Sequence, residues 1–238
     1  MLADQGQQQE PTGGLSASVH LPGEWLTALV AFIAGVLPGW RDDPVREAVS
    51  AETPLTAQLC SRLNSVARHA SGWDFLQFRR EEPDEADSRR SIDLVAAPSG
   101  AVIWIAGREY TEYRTLLPIE CKRLPTPGGS DRDEREYLIS RFKTTGGVQR
   151  FKAGQHGHAH ARAVMIGYVQ DKDISYWRER LDGWIDSLVA DAAPGWSTHD
   201  RLALADHDTA KRTATLWSSH ARVSELAPIR LDHLWIEM

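Results

Sequence analysis

Two carboxylates and one ammonium group stand in apolar segments near the middle of the sequence. Glu120 and Lys122 belong to the run LLPIECKR, and Asp93 belongs to the run SIDLVAA. Successive side chains of a β-strand point to opposite faces, so Glu120 and Lys122 would share one face and Cys121 would point to the other. Asp93 would likewise point away from its apolar neighbours. Glu120 and Lys122 can then both approach one bound ion or its water.

These residue types fit a site for a divalent cation. Carboxylate and carbonyl oxygens are ligands that Mg²⁺ accepts, while water and phosphate fill the other positions. Asp93, Glu120 and the backbone carbonyl of Cys121 would hold Mg²⁺ (or Mn²⁺), which polarises a phosphate and acidifies a water. Lys122 would orient that water and stabilise developing negative charge. The chemistry that this set supports is phosphodiester hydrolysis.

The elements that hold these residues are predicted from apolar periodicity. Leu55, Leu59 and Leu63 recur at helical spacing, and the continuous apolar run at 161–169 is typical of a strand covered on both faces. The patterns predict helices over 24–37 (ended by Pro38 and Gly39), 44–49, 54–69, 134–143, 148–153 and 173–190. They predict strands over 75–80, 91–97, 101–106, 116–123, 161–169, 213–217 and 229–236. This order predicts an α/β fold with a mixed central sheet flanked by helices.

Composition limits the class of protein. The chain has 238 residues, of which 42% are apolar and 25% charged, as in ordinary globular proteins. Residues 1–20 are predicted to form a flexible arm and 21–238 a single domain. The longest apolar run is too short to cross a membrane, the N-terminus lacks a secretory signal, and the two cysteines form no Cys-x-x-Cys pair, so a cytoplasmic location is expected. A net charge of −6 argues against DNA binding driven mainly by phosphate electrostatics.

Asp93 followed by Glu120-x-Lys122 on a later strand resembles the PD-(D/E)XK superfamily of restriction-endonuclease-like nucleases. The family order of helix, Asp strand, Glu-x-Lys strand, helix, strand and helix matches about residues 50–190, with a β-rich C-terminal extension. Glu52 stands where many members carry an additional acid. The proline that often precedes the Asp is absent, and 26 residues separate Asp93 from Glu120, which requires an extra hairpin.

The resemblance implies a divalent-metal-dependent endonuclease, with DNA a more suitable substrate than RNA. It implies auxiliary catalytic roles for Glu52 and Gln149, with Gln149 near the attacking water, and phosphate contacts for Arg150 and Lys152. The stretch from Tyr137 to 169 resembles bacterial nuclease-like proteins among phage-defence genes, which implies prokaryotic defence. A homodimer and a partner subunit such as a helicase or ATPase are further implied, with no membrane association.

Simpler interpretations stay open for the same residues. Glu120 and Lys122 would also suit the solvent face of an edge strand, and Asp93 would suit a surface salt bridge with Arg89 or Arg90. Glu52, beside a helix N-terminus, would complement the helix dipole. Gln149 and Arg150 would also suit ordinary helix surface, and Lys152 would suit a solvated charge.

Two other functions also stay open. One is a catalytically inactive nuclease-fold subunit that acts as a protein- or nucleic-acid-binding module, which the acidic charge favours. The other is a different hydrolase, with a zinc centre built on His156, His158 and His160. Those histidines alternate in a glycine-rich segment and have no fourth ligand at a typical spacing.

Overall fold

A seven-stranded mixed sheet forms the centre of the protein and confirms the predicted α/β class. The computed structural model describes residues 22–105, 107–130, 132–140, 146–223 and 226–238, so the arm predicted for 1–20 lies outside the described residues. The helices are α1 (Pro22–Arg41), α2 (Glu52–His69), α3 (Gly147–Lys152) and α4 (Ile174–Ala190). The strands are β1 (Leu76–Pro83), β2 (Ser91–Pro98), β3 (Ile103–Ile105), β4 (Arg108–Tyr110), β5 (Leu117–Leu124), β6 (Arg162–Val169), β7 (Ala203–Asp208), β8 (Thr213–His220) and β9 (Ile229–Glu237).

The sheet has the order β1-β2-β5-β6-β9-β8-β7. Its centre is parallel, because β5 pairs with β6 and β6 with β9 in parallel register. Both sides are antiparallel, through β1–β2–β5 at one end and β7–β8–β9 at the other. A separate hairpin of β3 and β4 emerges from the connection between β2 and β5. This hairpin accounts for the long spacing between Asp93 and Glu120.

Helices cover both faces of the sheet, as the apolar patterns predict. On one face, α1 and α2 bury side chains such as Leu55 and Leu59 against Ile119 and Cys121 of β5. On the other face, α4 buries a stripe that includes Leu181 against a second core. Asp173 caps α4 by accepting a hydrogen bond from the backbone N–H of Tyr176 at 2.7 Å. In the described part of the chain, no helix has the length and apolar character needed to span a bilayer.

Two helix predictions near the N-terminus are wrong. Helix α1 does not end at Pro38 but continues to Arg41, because Leu37 and Trp40 are buried against the core and offset the hydrogen bond that proline cannot donate. Residues 44–49 form turns and extended chain rather than a helix. Val45 there is 87% exposed and Val49 packs against the core, so the segment has no continuous apolar face of a helix.

The predicted helix over 134–143 is also wrong where the structure describes it. Residues 134–138 form turns, and 141–145 lie outside the described residues. The carbonyl oxygens of Glu136 and Tyr137 accept hydrogen bonds from the backbone N–H groups of Gly147 and Val148, at 2.9 and 3.1 Å. These carbonyls therefore satisfy the first turn of α3 instead of continuing a helix of their own. Strand β7, which the sequence analysis missed, is mostly exposed and lacks apolar alternation.

A chain of buried polar side chains crosses the second core. Trp235 Nε1 donates to the Tyr137 hydroxyl at 2.8 Å, and that hydroxyl contacts His233 Nδ1 at 2.9 Å. His233 Nε2 then contacts the Ser218 hydroxyl at 2.7 Å. Burial lowers the pKa of His233 to about 3. These hydrogen-bonded side chains therefore satisfy one another's polar groups inside the core, with His233 uncharged.

The same series of side-chain contacts continues from Ser218 to Lys152, at the end of α3. Ser218 Oγ contacts His220 Nε2 at 2.6 Å, His220 Nδ1 contacts Asp200, and Asp200 pairs with the ammonium group of Lys152. Ser, His and Asp in this order resemble a hydrolytic triad. All three are at most 2% exposed, so a substrate cannot reach the serine. We therefore interpret the chain as a structural network that anchors α3.

The close packing of β6 and β9 makes Gly167 a sensitive position. A Cβ atom at Gly167 would lie 2.5 Å from Cδ1 of the buried Trp235. We expect Gly167→Ala to lower the free energy of unfolding by about 1–3 kcal/mol, because the indole ring must move. Gly183→Ala is the control, since Gly183 is exposed on α4 with open space around it, and we expect a gain of about 0.5–1 kcal/mol. Urea denaturation measures both, and equal effects would contradict the packing argument.

The polar chain predicts acid sensitivity. Because the folded-state pKa of His233 is about 3, its contribution to stability is complete above its unfolded pKa, about 6.5, and is lost as the pH falls towards 3. We expect His233→Gln, which keeps a donor near Ser218 but cannot titrate, to flatten the pH dependence of the unfolding free energy. Between pH 6 and 4, the slope of the unfolding free energy against pH should differ between wild type and variant by nearly the value for one proton. That value is about 1.4 kcal/mol per pH unit. An unchanged slope in urea denaturation across this range would refute the assignment.

Candidate active site

The site forms where β2 and β5 separate inside the sheet. Their register includes Leu94 opposite Ile119 but does not continue to the next pair, Asp93 and Glu120. Beyond that point Asp93 Oδ2 accepts the backbone N–H of Cys121 at 2.9 Å, in place of a strand partner. Strand β5 lies between β2 and β6, so the interpretation of Glu120 as an edge-strand residue is wrong.

The ammonium group of Lys122 lies among oxygen atoms from three elements. Lys122 Nζ is 3.0 Å from Glu120 Oε1 and 3.1 Å from Glu52 Oε1. It is also 2.9 Å from the Cys121 carbonyl oxygen and 3.6 Å from Asp93 Oδ2. Glu120 is fully buried and Lys122 is 6% exposed. The structure therefore brings together the three residues of the sequence motif, the Cys121 carbonyl and Glu52.

Glu52 reaches this cluster because it is the first residue of α2. Its Oε1 atom contacts Lys122, and its Oε2 atom accepts the backbone N–H of Arg123 at 3.2 Å. Helix α2 is fixed by buried residues such as Leu55 on the α1–α2 face. Glu52 thus occupies the first helical turn, as the dipole interpretation requires, and also belongs to the site.

Asp93 does not form the surface salt bridge considered from the sequence. Arg89 and Arg90 pair instead with Asp87, at 2.9 and 3.5 Å. Asp93 is flanked by the buried Ile92 and Leu94, as strand alternation predicts.

Two further side chains approach Glu120 from α3 and the segment after it. Arg150 NH1 lies 2.8 Å from Glu120 Oε1, so Arg150 is not ordinary helix surface. His156 Nδ1 lies 3.2 Å from Glu120 Oε2, and His156 is 3% exposed. Arg150 NH1 donates a hydrogen bond to Glu120 Oε1, whereas His156 Nδ1 and Glu120 Oε2 are not aligned for one.

The other two α3 residues predicted to act at the site point elsewhere. Gln149 Oε1 faces the backbone N–H of Ser140 at 3.4 Å. Lys152 is buried, pairs with Asp200, and lies 4.7 Å from the ring centre of Trp196. Lys152 is therefore neither a solvated charge nor presented to a phosphate in this arrangement.

The three histidines of the 156–160 segment do not converge on a common centre. His156 faces Glu120, His158 is exposed, and His160 Nε2 lies 3.8 Å from Glu85. Burial lowers the pKa of His160 to about 4. A zinc centre that uses all three histidines does not match this arrangement.

The electrostatics differ between the two core carboxylates. Burial and the charge of Glu120 raise the pKa of Asp93 to about 6, although Lys122 opposes the shift. Burial alone would also raise the pKa of Glu120. The Lys122 ammonium, the neighbouring His156 and the Arg150 guanidinium nevertheless hold that pKa below its ordinary value. The carboxylates in turn raise the pKa of the buried Lys122 well above its ordinary value. Glu120 is thus a permanent anion, and Asp93 exchanges a proton near pH 6.

Two residues at this site were not predicted from the sequence, His156 as a neighbour of Glu120 and Glu81. His156 was considered only with its neighbouring histidines, and its contact with Glu120 depends on the path of the chain after α3. Glu81 lies just beyond the strand predicted over 75–80, yet it belongs to β1 and lines a small pocket with Glu52 and Asp93. The pocket volume, about 40 Å³, suits roughly one water molecule. Glu81 has a φ of 53°, a conformation uncommon for a residue other than glycine. It interrupts the ladder between Arg80, which pairs with Leu94, and Glu82, which pairs with Ile92.

The oxygen atoms of this site suit a divalent cation, although they now surround the ammonium group of Lys122. Three carboxylates and a carbonyl are hard oxygen ligands of the kind that Mg²⁺ and Mn²⁺ accept. Within the described ranges, however, no three His, Cys, Asp or Glu side chains are arranged ready to hold a metal ion. The oxygens converge on Lys122 Nζ instead. A divalent ion would therefore share these oxygens with the ammonium group or displace it.

Comparisons with protein-family models, curated proteins and solved structures gave no match for this chain.

The ammonium group of Lys122 predicts a stability effect that a divalent ion should reverse. Lys122→Met leaves buried carboxylates without their main counter-charge, so we expect the free energy of unfolding to fall by about 3–5 kcal/mol in chelator. Millimolar Mg²⁺ or Mn²⁺ should restore part of it. The control is Lys211→Met, because Lys211 is 65% exposed and its loss should change stability by less than about 0.5 kcal/mol. Equal losses for the two variants, or no recovery with either ion, would contradict the site.

Proposed function

We propose that this protein is a divalent-metal-dependent nuclease of the PD-(D/E)XK type that hydrolyses phosphodiester bonds in DNA. The observation that supports it is the convergence of Glu52, Asp93 and Glu120 on Lys122, where β2 and β5 separate. This arrangement combines the acids and the lysine that the sequence resemblance implies. It also places the lysine ammonium within 3.1 Å of two of the carboxylates.

In this proposal Glu120 and Asp93 hold the ion, with the Cys121 carbonyl as a third donor. When bound, the ion would polarise the scissile phosphate and acidify the attacking water. Glu120 is suited to the role because its surroundings keep it ionised. Asp93 must release its proton before it can bind an ion, so ions and protons compete for it near pH 6.

Lys122 would act on the water and the phosphate when the carboxylates that now contact it hold an ion. Its ammonium would then orient the water and stabilise the charge that develops at the phosphorus. Glu52, which contacts Lys122 Nζ at 3.1 Å, would hold the ammonium in place. The pocket between Glu52, Glu81 and Asp93 supplies an opening for water beside these groups.

DNA binding by this protein would need positively charged groups near the site or on a partner. Its net charge of −6 disfavours DNA binding through the protein's own field. Arg150 is 24% exposed and already within reach of the site, so it is the first candidate to contact a phosphate. A partner subunit such as a helicase or ATPase, or a second copy of the chain, would supply the other positive charges that contact DNA. Prokaryotic defence in the cytoplasm is the setting that the resemblance suggests.

A second candidate is a catalytically inactive subunit that keeps the nuclease fold. The observation that favours it is the contact of Lys122 Nζ with four oxygen atoms, from Glu52, Asp93, Glu120 and the Cys121 carbonyl. In such a protein the ammonium would replace the metal as the permanent counter-ion of the site. Metal affinity separates the candidates, because only the nuclease needs Asp93 and Glu120 to bind an ion.

Cleavage of DNA tests the proposal directly. We expect the wild-type protein to cleave single- or double-stranded DNA in Mg²⁺ or Mn²⁺ and to lose that activity in chelator. Lys122→Ala, Asp93→Asn and Glu120→Gln should each reduce the rate by at least about a hundredfold. Asp87→Asn is the matched control, because Asp87 pairs with Arg89 away from the site. Gel assays with matched DNA and RNA substrates measure the rates.

Circular dichroism of each variant separates lost activity from lost folding. Equal cleavage by wild type and the Lys122 and Glu120 variants would refute the nuclease assignment. Absence of cleavage together with unchanged Mn²⁺ affinity in Asp93→Asn and Glu120→Gln would favour the inactive subunit.

A further inference from the structure

The two oxygen atoms of Glu120 have different surroundings. Oε1 receives both cations, with Lys122 Nζ at 3.0 Å and Arg150 NH1 at 2.8 Å. Oε2 is buried and has no aligned hydrogen-bond donor. Buried polar atoms without partners are rare in native proteins, because each costs about 1–3 kcal/mol. Oε2 is therefore the oxygen of Glu120 that neither Lys122 nor Arg150 occupies.

The atom that faces Oε2 likewise has no aligned hydrogen-bond partner. His156 Nδ1 lies 3.2 Å from Glu120 Oε2, but the pair is not aligned for a hydrogen bond. An imidazole nitrogen and a carboxylate oxygen both donate electron pairs to metals, with bond lengths of about 2.0–2.2 Å. Two such donors at right angles around one ion are roughly 3 Å apart. The observed separation suits two ligands of a common ion.

The chain holds His156 in this position through a built loop. The loop, 153–160, turns at Gly157, whose φ of 60° favours glycine. Gly157 donates its N–H to the buried Asp84 at 3.1 Å, and its carbonyl accepts from Arg222 at 3.1 Å. The imidazole of His156 packs edge-on against Phe151, with ring centres 6.0 Å apart. The orientation of His156 therefore depends on several elements and not on local preference.

We propose that His156 Nδ1 and Glu120 Oε2 are direct ligands of the divalent cation, and that the site consequently prefers a transition-metal ion such as Mn²⁺ to Mg²⁺. This inference rests on the proposed nuclease function, and it specifies the metal of that site. Imidazole is a good ligand for first-row transition metals, whereas Mg²⁺ prefers oxygen donors and retains its water. Mn²⁺ accepts both imidazole and the nearby carboxylates.

Mn²⁺ titrated into the metal-free full-length protein tests the proposal. We expect pulsed electron paramagnetic resonance to show coupling between bound Mn²⁺ and a nitrogen nucleus. Incorporation of ¹⁵N-histidine should change the coupling frequency, and this measurement needs no variant. Competition titrations should show Mn²⁺ bound at least tenfold more tightly than Mg²⁺.

A matched pair of variants assigns the nitrogen to one histidine. His156→Asn places an amide near the position of Nδ1, so it should abolish the nitrogen coupling, weaken Mn²⁺ binding at least tenfold and change Mg²⁺ binding less than threefold. His158→Asn alters an exposed histidine of the same loop and should change none of these quantities. Circular dichroism confirms folding, and the labelled wild-type protein decides the question if His156→Asn does not fold.

The outcomes separate this inference from the proposed function. Mn²⁺ binding that Asp93→Asn weakens, without histidine coupling in the wild type, would overturn the role of His156 and leave the carboxylate centre intact. Histidine coupling that persists in His156→Asn would also overturn it. If Mn²⁺ does not bind, or binds independently of Asp93 and Glu120, both the inference and the metal-dependent function fail.

Discussion

The buried ammonium group of Lys122 is the interaction on which the arrangement of this protein's central cleft depends. It contacts carboxylates from the start of α2 and from β5, and it lies near the carboxylate of β2. Without a cation, these like charges would repel one another in surroundings that screen them poorly. The strands can separate beside Asp93 because Asp93 accepts from the Cys121 N–H and Lys122 donates to the Cys121 carbonyl.

Helix α3 completes the opposite side through two basic residues that serve different anions. Arg150 extends to Glu120, whereas Lys152, two positions later, is buried against Asp200. Asp200 in turn belongs to the polar chain that reaches β8 and β9. A helix of six residues has little stability of its own, so these ion pairs and the caps from 136–138 hold it. The site is thus supported from both halves of the sheet.

Local alternation was sufficient to predict the central motif. Asp93, Glu120 and Lys122 each lie in a strand with apolar neighbours, and strand periodicity predicts which side chains share a face. The contact between His156 and Glu120 was not predictable in this way, because it joins a loop to a strand through the path of the chain around α3. The helix predicted over 134–143 failed for a related reason. Its carbonyl groups bond to the start of α3, a tertiary contact that propensity does not include.

The position of the β3–β4 hairpin makes the separation of Asp93 and Glu120 independent of the length of the segment between them. The hairpin leaves the sheet where Ala96 pairs with Leu117, while Asp93 and Glu120 lie beyond the other end of that ladder. Residues added or removed at the hairpin tip would therefore extend or shorten a surface feature without altering the separation of the two carboxylates. The hairpin exposes Trp104 and, beyond β4, Tyr113 to solvent. Sequence change can accumulate there and modify what the surface contacts, while the chemistry beneath it stays the same.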